Sequence, residues 1–171
     1  NVDANMFTAR CDIWADLRNG LPFRSETVSA FYSHHVVEHL PDALLPTHFA
    51  EMLRCLRPGG KIRIGGPHGE NAMRMYLENN RPWFSDFPDR RASIGGRFAN
   101  FILCRGEHLS ILTPSYLREL CEEAGFEQFR VCAPGTETGS PEIFDSSVLS
   151  LEQESSITCP HTLVIEASRP N

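Results

Sequence analysis

Apolar and polar residues alternate along the chain in two distinct patterns. Short segments rich in β-branched and aromatic residues, each bounded by turn-forming residues, predict strands. Between these segments, apolar residues recur at intervals of three and four, which predicts helices that bury one face. The predicted strands are Asp12–Ala15, Val28–Ser33, Lys61–Gly65, Phe126–Ala133 and Thr162–Ala167.

Two of the predicted helices have clear ends. The first runs from Pro41 to Leu56 and stops at residues 57–60, Arg-Pro-Gly-Gly, because proline cannot continue a helix and glycine adopts the left-handed turn that ends one. The second covers Pro114–Ala124, with Thr113 as its N-cap and Gly125 as its C-cap.

Strands that alternate with helices indicate crossover connections and an α/β fold. We therefore expect a Rossmann-like, mainly parallel sheet with helices on both faces. No helix is predicted between the last two strands, so they should pair as an antiparallel edge. Residues 1–171 then form a single domain, in which 81–105 is a lid-like insertion and 134–160 is a long loop.

Composition and charge narrow the class of protein. The formal net charge of -6 disfavours a general nucleic-acid binder, although several arginines are concentrated within residues 74–105. No apolar run is long enough to span a bilayer, so no membrane partner is expected. The six cysteines have no metal-ligand spacing, and we interpret them as reduced thiols in a cytoplasmic protein.

Candidate binding residues lie at the carboxyl ends of the predicted strands, where open parallel sheets bind their ligands. The N-terminal Asn-Val-Asp ends in Asp3, and the next strand leads to Asp16 and Leu17. The third candidate is the run Ser-His-His-Val-Val-Glu-His-Leu over 33–40, which is followed 17 residues later by the Arg-Pro-Gly-Gly of 57–60.

In this order, the motifs resemble those of the class I S-adenosylmethionine-dependent methyltransferases, and in particular a small methyltransferase-domain subfamily. The resemblance implies S-adenosyl-L-methionine as cofactor. It assigns Asp3 to the ribose hydroxyls and Asp16, with the Leu17 backbone amide, to the adenine. It places Ser33 and His34 near the methionyl end and the methyl group.

The sequence departs from this family at its start. Family members carry a strand and a glycine-rich loop before the acid that corresponds to Asp3, and both are absent from this chain. Either the chain is a fragment, or it is a degenerate relative that no longer binds the cofactor in the family manner. The sheet should then expose a strand edge, which favours association into a homo-oligomer.

Histidines are the candidates for acid–base chemistry. His34 ends a strand on the cofactor side, and His108 lies in a loop where the family often places substrate-side residues, so both are candidate catalytic residues. His35 and His39 have the i, i+4 spacing of metal ligands, but the sequence shows no third ligand. We therefore expect no metal.

The predicted function is methyl transfer from S-adenosylmethionine to a small-molecule or glycan-like acceptor. The arginine-rich insertion, with Trp83, Phe84 and Phe87, would suit an anionic acceptor that has a planar or apolar part. The alternative is a non-catalytic interaction module that retains a degenerate methyltransferase scaffold.

Overall fold

A computed structural model describes residues 2–3, 12–154 and 158–171, and for Asp3 it describes the backbone alone. Two strands, β1 (Val2–Asp3) and β2 (Ile13–Trp14), form a small parallel sheet of their own. Four further strands form the main sheet. They are β3 (Val28–His34), β4 (Leu56–Pro67), β5 (Glu127–Cys132) and β6 (Thr162–Ser168).

The main sheet has the strand order β3-β4-β6-β5. The β3–β4 pair is parallel, whereas β6 is antiparallel to both β4 and β5. Three of these four strands therefore point in one direction. The predicted antiparallel pairing of the last two strands is confirmed, and so is the α/β class.

The pair lies at one edge of the sheet, as predicted, and its two strands differ in position. Strand β6 lies inside the sheet, and β5 forms the edge. The physical reason is burial, because all seven residues of β6 are buried and such a strand requires a neighbour on each side. Strand β5 is largely exposed, as suits an edge.

The described part of the chain contains five α-helices beside the strands. They are α1 (Leu45–Cys55), α2 (Gly69–Leu77), α3 (Ile94–Leu103), α4 (Pro114–Ala124) and the short α5 (Ser146–Leu149). Helix α4 has the predicted bounds: the Thr113 hydroxyl accepts the Tyr116 amide, and Gly125 ends the helix at φ +96°. Among the described residues, no helix is both long and apolar enough to cross a bilayer.

Helices α1 and α4 cover one face of the main sheet and form the principal core with it. Phe49 and Met52 from α1 and Leu117 from α4 pack there against Ile62 and Ile64 of β4. A second, smaller core joins α2 and α3 to the segment that contains Trp83 and Phe84. The predicted 81–105 insertion therefore includes a helix with its own packed side chains.

Candidate functional site

A cavity of about 590 Å³ runs along β3. Apolar side chains from β3, α1 and the 17–23 segment form most of its wall, with a few polar groups among them. This mixture is typical of pockets for nucleosides and other small ligands. The lining residues are Val2, Leu17, Leu21, Phe23, Val28, Ala30, Phe31, Tyr32, Ser33, His34, His35, Val36, His48 and Met52.

Five residues were predicted from the sequence to bind the cofactor, and three of them line this cavity. Leu17, Ser33 and His34 line it. Asp16 does not line it; instead its carboxylate accepts three hydrogen bonds from the Arg18 guanidinium at 2.6–3.0 Å. The side chain of Asp3 lies outside the described residues, so its predicted role stays a prediction.

Three of the lining residues carry buried polar atoms that have no hydrogen-bond partner among the described residues: Tyr32 Oη, His34 Nε2 and His48 Nδ1. Burial raises the pKa of Tyr32 to about 12 and lowers the pKa of His48 to about 4. Burial also lowers the pKa of His34, so its imidazole is neutral at pH 7. The lining thus offers neutral polar groups within an apolar wall, which fits a nucleoside-containing cofactor.

Two glycines of β4 make room for side chains at the end of β3. A methyl group added at Gly65 would lie 2.5 Å from His34 Cδ2. One added at Gly66 would lie 2.5 Å from Leu112 Cδ1 and 3.2 Å from Glu38 Oε2. His35 follows at φ +53°, a left-handed conformation that is unusual for a histidine. The chain therefore turns sharply after His34 into the 3₁₀ turn Val37–His39.

The 107–112 loop is fastened to this turn by backbone hydrogen bonds. The Leu109 and Ser110 amides donate to the Glu38 carbonyl at 2.7 and 3.2 Å. The His39 Nδ1 group contacts the Glu107 carbonyl at 3.0 Å. As a result, the ring of His108 lies 5.1 Å from that of His39, although the two residues are far apart in the sequence.

Glu38 is the functional candidate that sequence reasoning missed. Its side chain is 1% exposed, and its Oε1 lies 3.0 Å from His35 Nδ1 and 4.0 Å from His39 Nε2. Its Oε2 has no hydrogen-bond partner among the described residues. A buried carboxylate with an unpaired oxygen is energetically costly. The Glu-His-Leu motif was a signal for this residue, but burial cannot be read from the motif.

His108, a predicted catalytic residue, lies beside His39 and Glu38. Its Nδ1 contacts the Ile102 carbonyl at 3.1 Å, and burial lowers its pKa. His35 connects this cluster to the cavity, because it lines the cavity and contacts Glu38.

The 81–105 insertion pairs some of its arginines internally. Trp83 and Phe84 are buried in the second core. Arg97 pairs with Asp86 at 3.0 Å, and Arg105 pairs with Asp89 at 2.6 Å. Arg90 and Phe87 are exposed, and the fit of this insertion to an anionic acceptor stays a prediction.

One part of the chain is similar to a known protein family. A family model described as a methyltransferase domain matches residues 5–64, which include β2, β3, α1 and the first part of β4. The matched part of the chain therefore builds most of the cavity wall. This part of the chain is therefore similar to a methyltransferase domain.

Solved structures of methyltransferases are similar to this chain in fold. An S-adenosylmethionine-dependent methyltransferase from Archaeoglobus fulgidus has a TM-score of 0.57 at 14% identity, over 98% of this chain and 74% of that one. A possible histamine N-methyltransferase from Thermotoga maritima has a TM-score of 0.51 at 17% identity, over 89% and 60%.

A third similar structure holds the cofactor. Phosphoethanolamine N-methyltransferase 2 from Haemonchus contortus, in complex with S-adenosyl-L-methionine, has a TM-score of 0.52 at 14% identity. The match covers 92% of this chain but 36% of that protein, so the domain spans only part of the longer relative. Among curated proteins, no match was found.

Proposed function

We propose that this protein transfers the methyl group of S-adenosylmethionine to a small-molecule or glycan-like acceptor at the carboxyl end of β3. The observation that carries the proposal is the cavity along β3. It is built largely by the segment that matches the methyltransferase domain, and Leu17, Ser33 and His34 line it.

The lining residues have distinct roles in this proposal. Bound S-adenosylmethionine supplies a methyl group made electrophilic by its sulfonium. Leu17 and the apolar wall exclude water from the adenosine part, while Ser33 and His34 hold the methionyl end. Since burial keeps His34 neutral, its imidazole can orient the bound molecule without adding a positive charge beside a sulfonium. Asp3 remains the proposed ligand of the ribose hydroxyls.

The acceptor enters from the side of His35, Glu38 and His108. Methyl transfer is an in-line displacement, so the site must mainly align the acceptor atom and exclude water. His108 has one ring nitrogen engaged with the Ile102 carbonyl, which leaves the other to act on an acceptor group directly or through a bound ion. Two similar structures are named for small-molecule acceptors, histamine and phosphoethanolamine, which supports a small acceptor here. Cytoplasmic location and self-association stay predictions of the sequence.

The test is release of S-adenosylhomocysteine from S-adenosylmethionine in the presence of a panel of small amines, alcohols, carboxylic acids and sugars. We expect at least one acceptor to raise release above the rate without acceptor. His34→Ala should then lower the stimulated rate by about tenfold or more, because it removes an aligning contact. Release that no acceptor class stimulates, or that His34→Ala leaves unchanged, would contradict the proposal.

A further inference from the structure

We infer that Glu38, His39 and His108 form a binding site for one divalent transition-metal ion beside the cofactor cavity. One potential ligand atom from each of the three residues can be chosen so that all lie within 4.8 Å of one another. The set comprises two imidazoles and one carboxylate, which is a recurrent ligand set for divalent iron, cobalt and zinc.

The orientation of the two imidazoles supports this site. His39 Nδ1 lies 3.0 Å from the Glu107 carbonyl, and His108 Nδ1 lies 3.1 Å from the Ile102 carbonyl. A carbonyl can only accept, so each Nδ1 carries the proton and donates. In the neutral form of each ring, Nε2 then presents a lone pair. Histidines that bind metals are usually held in this way, with the second ring nitrogen donating to a carbonyl or carboxylate.

Glu38 supplies a second, independent observation. Its side chain is 1% exposed, yet no arginine or lysine pairs with it among the described residues, and its Oε2 lacks any hydrogen-bond partner there. Within the described ranges, its only close polar side-chain contact is His35 Nδ1, 3.0 Å from Oε1. A cation between Glu38 and the two histidines would compensate for the burial of this carboxylate.

The geometry requires only a small closure. Ligand atoms around a tetrahedral ion with bonds of about 2.0–2.2 Å lie roughly 3.4 Å apart. The observed separation of 4.0 Å between His39 Nε2 and Glu38 Oε1 is close to that value. His39 is exposed, so its ring can move toward the ion. Three protein ligands leave at least one coordination position open.

The open coordination position indicates what the bound ion would do. His35 contacts Glu38 and also lines the cofactor cavity, so the metal would lie next to the place where the methyl group is delivered. An oxygen or nitrogen of the acceptor could occupy the open position and be oriented by the ion. This use rests on the proposed function; metal binding itself does not.

Titration of the metal-free protein with Co(II), followed by visible absorption, tests the site. We expect saturation at one Co(II) per chain and displacement by Zn(II). His39→Asn and His108→Asn should each weaken binding at least about 100-fold, because second-shell changes alone cost 10–100-fold. Both changes affect partly exposed side chains, and circular dichroism checks that the variants are folded.

Glu38→Gln and Glu107→Gln form a matched pair. Both remove one negative charge from the same neighbourhood, but Glu107 is exposed and contributes only its backbone carbonyl to the site. Glu38→Gln should weaken Co(II) binding, and Glu107→Gln should leave it within about twofold. The site is overturned if wild type shows no saturable binding, or if the two variants behave alike.

A calorimetric titration with S-adenosylhomocysteine on the same metal-free protein separates this inference from the proposed function. Cofactor binding without Co(II) binding removes the metal site and leaves the methyltransferase proposal intact. Co(II) binding without cofactor binding retains the metal site but removes its proposed use in holding an acceptor.

Discussion

At the scale of single residues, the position of His34 in the site depends on the absence of a side chain at Gly65. Gly65 lies opposite His34 in the β3–β4 pair, and an added methyl group would overlap the imidazole. The ring of His34 therefore lies where only glycine permits it. The sequence placed His34 at a strand end but gave no sign of this dependence on Gly65.

Gly65→Ala should displace the His34 ring, since the added Cβ would lie 2.5 Å from Cδ2. We expect a loss of about 1–3 kcal/mol in the free energy of unfolding, together with weaker cofactor binding. Gly95→Ala is the control: it lies within α3 with no atom within 4 Å of its added Cβ, and it should stabilise the protein by about 0.5–1 kcal/mol. Urea unfolding measures both effects. Equal behaviour of the two variants would refute the account.

His48 predicts a loss of stability in acid. Burial lowers its folded-state pKa to about 4, whereas in the unfolded chain it titrates near 6.5. Between these values the unfolded chain binds a proton that the folded chain does not, so stability falls as the pH drops. The full effect is about 3 kcal/mol. His48→Gln should therefore lose less stability than wild type between pH 7 and pH 4, as measured by urea unfolding. Identical pH profiles would rule this explanation out.

At the scale of elements, a buried ionic network attaches the 134–154 segment to the sheet. Arg63 of β4 is fully buried and contacts Glu152 at 2.6 and 2.7 Å and Glu166 of β6 at 2.5 Å. Glu166 also accepts the Thr138 hydroxyl and the Gly139 amide at 2.6 and 2.8 Å. From its composition, this segment was predicted only as a long loop. Its attachment to Arg63 could not be predicted, because the residues that contact Arg63 are distant from it in the sequence.

Glu152→Gln should destabilise the fold by about 3–5 kcal/mol, because it breaks a buried ion pair and leaves part of the Arg63 charge unpaired. Glu122→Gln is the matched control. Its partner, Arg118, lies 3.7 Å away on the exposed surface of α4, so the loss should be at most about 0.5 kcal/mol. Chemical denaturation gives both values. A loss at Glu152 as small as that at Glu122 would show that the network contributes little.

Strands and helices themselves could be predicted well from sequence. The bounds of α4 followed from Thr113 and Gly125, which are local signals. For α1, the predicted end at Leu56 was one residue beyond the observed end at Cys55, and the predicted start at Pro41 came four residues before the observed start at Leu45. The position of β6 inside the sheet did not follow, because strand order depends on packing between distant segments. The apolar run Leu163-Val164-Ile165 within β6 is a sequence signal of a buried strand, but it does not indicate which strands lie beside it.

At the scale of the whole molecule, the part of the site within one segment could be predicted and the part made by two segments could not. Ser33 and His34 could be placed at the end of β3, because the end of a strand is a local feature. The meeting of His108 with His39 and Glu38 depends on the 107–112 loop binding to the turn after β3. No pattern in the sequence indicates that long-range contact, which is why the spacing of His35 and His39 alone predicted no metal.

The central claim is that the cavity along β3 holds the cofactor of a methyltransferase. Its most direct test is calorimetric titration of the full-length protein with S-adenosylhomocysteine, beside Leu17→Asp and Leu77→Asp. Leu17 lines the cavity, whereas Leu77 is 81% exposed on α2. We predict one binding site per chain, weakened at least about tenfold (about 1.4 kcal/mol) by Leu17→Asp and unchanged by Leu77→Asp. No binding, or equal binding by both variants, would contradict the account.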